Sequence, residues 1–218
     1  MSAKKLDDFF VSSILRWGID NYRTFPWRES TNPYHFLVVE ILLQKTKAEQ
    51  VIPVYNEFIT NYPDIESLAK AKIKKLDELI APIGLINRAN RLKQIAKQIT
   101  DEYNSKIPDN EKNLVELRGI GKYIARAILC FGFDRRVSIM DVNIGRILIR
   151  FYGLDQPKRI RDSRELWLKT DELLPDKEFR KYNLSLLDFG NSICSKRKPN
   201  CIDCLLNARC SFYQLSKD

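Results

Sequence analysis

Apolar residues recur at helical spacing along nearly the whole chain, and this pattern limits the possible folds more than any other feature. Runs with the i, i+3, i+4, i+7 spacing of one helix face begin at Phe10, Val51, Leu92 and Ile144. No strand-like alternation persists, and prolines and glycines separate segments of ordinary helix length. The sequence therefore predicts an all-α fold of about ten helices.

The charge balance indicates a polyanionic partner. The chain of 218 residues carries 37 Lys and Arg against 28 Asp and Glu, a net charge of +9. Most of this excess lies in two blocks, residues 81–100 with a net charge of +4 and residues 118–150 with +5. A basic face of this kind is typical of nucleic-acid binding, although a solvated basic surface would give the same counts.

The histidine content and the N-terminus exclude several classes of protein. The single histidine, His35, makes histidine-based triads, H-E-x-x-H zinc sites and two-histidine iron sites hard to assemble. The first residues, MSAKKLDDFF, place two aspartates where a secretory signal needs an uninterrupted apolar core. No apolar stretch reaches the ~20 residues of a membrane span. We therefore expect a cytoplasmic protein in a reducing compartment, with no membrane partner.

Four of the five cysteines lie within the last 25 residues in a C-x6-C-x2-C-x5-C pattern. They are Cys194, Cys201, Cys204 and Cys210. In a reducing compartment this pattern favours a metal site over disulfides. Four-thiolate zinc sites usually pair two C-x2-C knuckles, and this chain has one, whereas a [4Fe-4S] cube also suits four thiolates on one compact loop. Spacing alone supports zinc and [4Fe-4S] about equally.

Residues 113–131 predict two helices joined by a tight turn at Gly119-Ile120-Gly121. Glycine lets the backbone turn sharply and lets an anion approach the amides. The start of the second helix offers free N–H groups at the positive end of a helix dipole. The segment is consistent with a sequence-neutral phosphate clamp and about equally with an ordinary helix connection. Its place at the start of the second basic block favours binding to the DNA backbone.

Two acidic residues stand in unusual contexts. Glu40 lies in the predicted helix PYHFLVVEILLQKT, which is apolar on every face. A buried carboxyl group can act as a general acid near neutral pH, or it can be a structural acid that caps a neighbouring helix. Asp141 directly precedes the helix predicted over residues 143–152. It is a good helix N-cap, and a carboxylate fixed there could also stabilise a developing cation or orient water.

In combination, these features resemble one family. The hairpin LRGIGKYIARAIL, Asp141 about 20 residues beyond its turn, and the cysteine pattern look like the helix-hairpin-helix DNA glycosylases, in the iron–sulfur branch of the endonuclease III group. The resemblance spans Phe25 to Cys210. It implies a [4Fe-4S] cluster rather than zinc on the four cysteines, and it makes Asp141 the expected catalytic aspartate. The two implied helical domains are a six-helix domain of residues 28–135 that contains the hairpin, and an iron–sulfur cluster domain of residues 1–27 and 136–218.

The segment FPWRESTNPYHFLVVEILLQKT is similar to adenine glycosylases and to mismatch thymine glycosylases, which implies that Glu40 lines the base pocket. Lyase-competent endonuclease III enzymes carry lysine after Gly-Ile-Gly-Lys, where this chain has Tyr123. An amine is needed to form a Schiff base with the sugar, and Lys122 is turned about 100° away. We therefore expect a monofunctional glycosylase.

In carrying tyrosine at this position, the sequence resembles the mismatch thymine glycosylases. Only eight residues follow Cys210, so we expect the lesion-reading domain of adenine glycosylases to be absent. The resemblance implies a monomeric base excision repair enzyme, associated with the nucleoid, that removes thymine or uracil mispaired with guanine in double-stranded DNA. The alternatives are an adenine glycosylase acting opposite guanine or 8-oxoguanine and a non-enzymatic DNA-binding module.

The same resemblance assigns roles to individual residues. Asp141, Tyr123 and Glu40 are expected to take part in catalysis. The residues expected to contact DNA are Gln44, Leu85, Gly119, Gly121 and Lys122.

Overall fold

The computed structural model describes residues 2–84 and 87–215, and within these residues the chain is helical, with no β-strand. This confirms the predicted all-α class. The chain divides into two compact units: unit 1 comprises Met1–Arg23 and Arg136–Asp218, and unit 2 comprises Thr24–Arg135. The first division therefore falls between Arg23 and Thr24, whereas the domain assignment from the sequence places it at residue 28.

The described residues form twelve α-helices. In chain order they are α1 (Ala3–Asn21), α2 (Pro33–Leu42), α3 (Ala48–Asn61), α4 (Ile65–Lys70), α5 (Ile73–Ile80), α6 (Arg88–Tyr103), α7 (Glu111–Glu116), α8 (Lys122–Ala127), α9 (Val142–Tyr152), α10 (Arg164–Glu172), α11 (Phe179–Ser192) and α12 (Ser211–Leu215). Short 3-10 turns lie at Pro26–Glu29, Ala81–Ile83, Ile160–Asp162 and Asn207–Arg209, and a π-helical turn at Ile128–Gly132. Over the described ranges, no helix has the length and hydropathy needed to cross a membrane.

Helix α2 forms the centre of unit 2. Eight of its ten residues are buried, and it contacts α3, α6, α8 and the π-helical turn that follows α8. The helix begins where the Asn32 side chain accepts a hydrogen bond from the Tyr34 N–H at 2.9 Å, with Pro33 in the first turn. Contact with neighbours on several sides explains why its sequence is apolar all round.

Helix α6 supplies the second apolar face of unit 2, on which α4 and α5 pack. The residues predicted to share this face, Leu92, Ile95, Ala96 and Ile99, are all buried. Helices α7 and α8 contact each other on either side of the glycine turn. The predicted helical hairpin is therefore present.

Unit 1 is organised around α1, α9 and α11. Helices α1 and α11 pack together, with the rings of Trp17 and Phe189 edge to face at 5.2 Å between centroids. Phe10 on α1 meets Phe151 on α9 at 4.9 Å. Helix α9 ends at Gly153, whose positive φ of 67° suits a residue without a Cβ. This core fixes the start of α9, where Asp141 lies.

A partly buried ion pair reinforces the same unit. Lys169 Nζ on α10 lies 2.8 Å from Asp7 Oδ1 on α1, and the Tyr152 hydroxyl donates to the same oxygen at 2.6 Å. Only 18% of the Lys169 side chain and 17% of the Asp7 side chain are exposed to solvent. Such a pair joins α1, α9 and α10, and removing one partner would leave the other charge partly buried and unpaired.

Candidate functional site

Glu40 and Tyr123 both belong to unit 2. Glu40 lies on α2 with 7% of its surface exposed, in the buried position that the sequence predicts. Tyr123 is half-buried in the first turn of α8, and the neighbouring Lys122 is exposed. Because α2 and α8 are in contact, unit 2 brings the two helices that carry Glu40 and Tyr123 together.

Gln44 lies just beyond the end of α2, and two arginines of α6 hold its segment. The Arg91 Nη1 donates to Gln44 Oε1 at 2.9 Å. Arg88 donates from Nη2 to the Gln44 carbonyl and to Thr46 Oγ1, the latter at 2.6 Å. Both the side chain and the backbone of Gln44 are therefore fixed by cations of the neighbouring helix.

The same Arg91 also reaches the glycine turn, because its Nη2 donates to the Gly119 carbonyl. Gly119 has a φ of +77°, and a Cβ there would lie 2.6 Å from Arg91 Nε. The left-handed backbone favours glycine at this position, and a side chain there would also require Arg91 to move. Gly121, which precedes α8, has no atom within 4 Å of where a Cβ would lie. The side-chain position of residue 121 is therefore open.

Arg88 and Arg91 contact two residues of the candidate site, Gln44 and Gly119, and the sequence did not point to these contacts. Both arginines belong to the basic block 81–100, yet Arg88 is 5% exposed and its guanidinium donates to carbonyl and hydroxyl oxygens. Burial lowers the pKa of both arginines. The basic block 81–100 is therefore partly internal. The available signal was the apolar spacing of α6, which places Arg88 in line with Leu92 and Ile95. Leu85 lies outside the described residues.

Asp141 belongs to unit 1 and is the N-cap of α9. Its Oδ1 accepts from the backbone N–H of Asn143 at 2.9 Å and of Ile144 at 2.8 Å, and its Oδ2 accepts from Asn143 Nδ2 at 2.7 Å. Burial raises the pKa of Asp141, and these hydrogen bonds offset only part of the rise. The result is a fixed carboxylate in a desolvated position at a helix start.

Asp141 is linked through two side chains to the cysteine segment. Asn143 Oδ1 accepts from Arg146 Nη2 at 3.0 Å, and Arg146 Nε donates to the Cys194 carbonyl at 2.9 Å. One turn further along α9, Arg150 donates to Cys194 Sγ at 3.4 Å. Movement of the cysteine segment is therefore coupled to the surroundings of Asp141 by direct hydrogen bonds.

The four C-terminal cysteines are free thiols that line one cavity of unit 1. Burial raises the pKa of Cys204 to about 11 and also raises that of Cys201 and Cys210. Thiolates at these positions need a compensating positive charge, such as a metal centre supplies. Four thiol donors lining one cavity are the ligand set that a [4Fe-4S] cube requires. In residues 2–84 and 87–215, no group of three or more His, Cys, Asp or Glu is arranged to hold a metal ion.

The chain is similar to proteins of known activity. The family described as HhH-GPD superfamily base excision DNA repair protein matches residues 38–170. A thymine/uracil-DNA glycosylase of Methanothermobacter thermautotrophicus is 35% identical over 98% of this chain and 97% of its own length. An adenine DNA glycosylase of Buchnera aphidicola is 34% identical over 95% of this chain and 59% of its own length. The solved structure of a thermostable thymine-DNA glycosylase matches with a TM-score of 0.94 at 34% identity, covering 99% of this chain and 100% of that one.

These similarities extend over both units and include the hairpin, α2 and α9. The family match covers more than half of the chain, and one relative aligns over nearly the full length of both proteins. They confirm the family predicted from the sequence. The chain belongs to the HhH-GPD superfamily of base excision DNA repair proteins.

Proposed function

We propose that this protein is a monofunctional DNA glycosylase that releases thymine or uracil mispaired with guanine. The observation that carries the proposal is the full-length similarity to a thymine/uracil-DNA glycosylase together with Tyr123 directly after the Gly-Ile-Gly-Lys turn. A phenol cannot form the Schiff base that a lyase needs. The enzyme therefore cuts the N-glycosidic bond and leaves the sugar–phosphate backbone intact.

The substrate base must first leave the duplex. Base flipping costs a few kcal/mol, and less for a mispair than for a Watson–Crick pair, which supplies part of the selectivity. The amides around Gly119 and Gly121 bind DNA phosphates, Lys122 adds a positive charge beside them, and Gln44 and Leu85 fill the vacated space. Support for Gln44 comes from the two arginines that hold it, and support for Gly121 from the open space in front of it.

Bond cleavage places positive charge on the sugar and negative charge on the departing base. Asp141 stabilises the sugar cation or activates the attacking water, because a fixed carboxylate needs little reorganisation during the reaction. Glu40 and Tyr123 hydrogen-bond the base and stabilise its negative charge. The buried position of Glu40 supports a role in a water-poor base pocket.

The cysteine segment completes the proposed machinery. The Sγ atoms of Cys194, Cys201, Cys204 and Cys210 hold a [4Fe-4S] cluster, which when bound cross-links the C-terminal segment. The exposed basic residues 196–198, next to Cys194, then face DNA. We further propose a cytoplasmic, nucleoid-associated monomer.

The proposal is tested with duplexes that carry T·G, U·G, A·G or A·8-oxoguanine, followed by alkali to reveal base loss. We expect cleavage at T·G and U·G and none at a matched A·T or G·C pair. Dominant release of adenine would instead support the alternative favoured by the similarity to an adenine glycosylase. In parallel, borohydride should trap no covalent adduct, with a lyase-competent endonuclease III enzyme as the positive control.

A further inference from the structure

A strongly basic groove lies in unit 1. Six cationic side chains and one carboxylate, that of Asp162, line it. The cations are Arg146, Arg150, Lys158, Arg159, Arg161 and Lys196. Of these six, Arg146 and Arg150 have been described as links to the cysteine segment, and Lys196 as an exposed residue next to it. The loop between α9 and α10, which supplies three of the six, has no assigned role.

Little of this charge is neutralised within the protein. Arg159 and Asp162 form a long ion pair of 3.8 Å, and both side chains are largely exposed, so their mutual attraction is screened. The side chains of Lys158, Arg161 and Lys196 form no ion pair with any residue in the part of the chain that the structure describes. The groove therefore presents a concentrated positive charge to solvent.

The groove is also structurally fixed. The loop folds into the 3-10 turn Ile160–Asp162, and the Trp167 Nε1 donates to the Arg161 carbonyl at 2.9 Å. Ile160 packs against Gly145 of α9 so closely that its side chain occupies the space of a Cβ. The cations thus project from a backbone that is anchored on both α9 and α10, which lowers the entropic cost of binding an anion.

We propose that this groove binds successive phosphates of the substrate DNA backbone and forms a second phosphate contact besides the hairpin turn. This inference rests on the proposed DNA-repair function. Each DNA strand carries one charge per 3.4 Å of helix axis, so an open groove lined by several cations matches a row of phosphates better than it matches one small anion. Arginine forks are suited to phosphate oxygens.

The salt dependence of DNA binding tests the proposal. We compare wild type with the double variant Lys158→Gln/Arg161→Gln, using a fully matched duplex of about 25 base pairs, from which no base is released. Each lost phosphate contact lowers the slope of log Kobs against log[salt] by about 0.9, so we expect the slope to become shallower by nearly 2. The matched control is Lys4→Gln/Lys5→Gln, which removes the same charge from exposed positions on α1 and should leave the slope near the wild-type value.

Two outcomes would overturn the proposal that the groove binds the DNA backbone. One is a slope for the groove variant equal to that of the α1 control, with thermal unfolding showing both variants folded. The other is that the variant loses affinity for inorganic triphosphate alone while its duplex slope is unchanged, which would identify a free-phosphate site. Because binding is measured without base release, failure of wild type to excise thymine would count against the proposed function and not against the groove.

Discussion

Asp141 serves two purposes at the residue scale, and they can be separated by one substitution. As an N-cap it needs only a side-chain oxygen that accepts from the N–H groups of Asn143 and Ile144, and asparagine supplies one. As the proposed cation stabiliser it needs a negative charge, which asparagine lacks. Asp141→Asn therefore keeps the helix start and removes the chemistry.

We expect Asp141→Asn to lower excision from a T·G duplex by at least about 10²-fold and to change DNA affinity little. Single-turnover excision and a binding titration on the same duplex measure the two effects. Asp64→Asn is the matched control, since Asp64 caps α4 in unit 2 through its own hydrogen bond to Ser67, and it should excise normally. Wild-type excision by Asp141→Asn would refute the assigned role.

The raised pKa of Asp141 also predicts how stability depends on pH. Its folded-state pKa lies above the unfolded value of 3.8, so the folded state binds the proton more tightly. The stabilising contribution is then fully present below that value and is lost as the pH rises through the folded-state pKa. We therefore expect the stability of Asp141→Asn relative to that of wild type to be higher at pH 7 than at pH 4. Urea unfolding at several pH values measures the difference, and a constant difference would contradict the prediction.

Single residues also mark how far the sequence could predict the site. The burial of Glu40 and the capping by Asp141 follow from local pattern, because each depends on immediate neighbours in the chain. The roles of Arg88 and Arg91 do not, because their partners Gln44 and Gly119 come from other segments. Counting charge cannot distinguish an arginine that binds carbonyls from one that faces solvent.

At the scale of elements, the hairpin turn contains a natural matched pair of glycines. Gly119 has a positive φ and lies against Arg91, whereas Gly121 has a φ of −98° and open space where a Cβ would lie. A left-handed conformation costs a residue with a side chain roughly 1–2 kcal/mol. Gly121→Ala replaces the N-cap of α8 by a poorer one, but at a φ that alanine accepts it also lowers the entropy of the unfolded chain, and these two effects, each roughly 0.5–1 kcal/mol, oppose each other.

We therefore expect Gly119→Ala to lower the free energy of unfolding by roughly 1–2 kcal/mol and Gly121→Ala to leave it nearly unchanged. The effects of the two variants on DNA affinity should not follow their effects on stability. A methyl group at residue 121 would enter the space proposed for a phosphate, so Gly121→Ala should weaken binding although it folds normally. Denaturant unfolding and a binding titration measure both variants. If Gly121→Ala binds DNA like wild type, the turn does not approach the backbone.

Elements differ in how well the sequence predicts them. Helices α6 and α9 follow directly from apolar spacing, and α2 follows from a continuous apolar run that begins after Asn32 and Pro33. The π-helical turn Ile128–Gly132 does not, because its residues have ordinary helical spacing. In this turn the backbone hydrogen bonds shift from the α-helical to the π-helical pattern. The turn packs against α2, and this tertiary contact cannot be read from the local sequence.

At the scale of the molecule, the cysteine cavity is the feature whose chemistry is most open to test. Burial disfavours ionised thiols at Cys201, Cys204 and Cys210. Together with Cys194 these residues line one cavity, and a metal centre bound by the four would cross-link the segment that carries them. Bound metal should therefore stabilise this part of the chain, because its binding free energy adds to that of folding.

We expect protein purified without oxygen to be brown, with about four irons and four sulfides per chain, and Cys204→Ser to lose most of the iron and to unfold at a lower temperature. Metal analysis, visible absorption and thermal unfolding provide the measurements. Cys130→Ala is the control, because Cys130 is buried outside this cavity, and it should keep its iron even if the core is weakened. A colourless protein with one zinc per chain would replace the cluster with the zinc site that the cysteine spacing alone supports equally well, while leaving Asp141 and the hairpin unaffected.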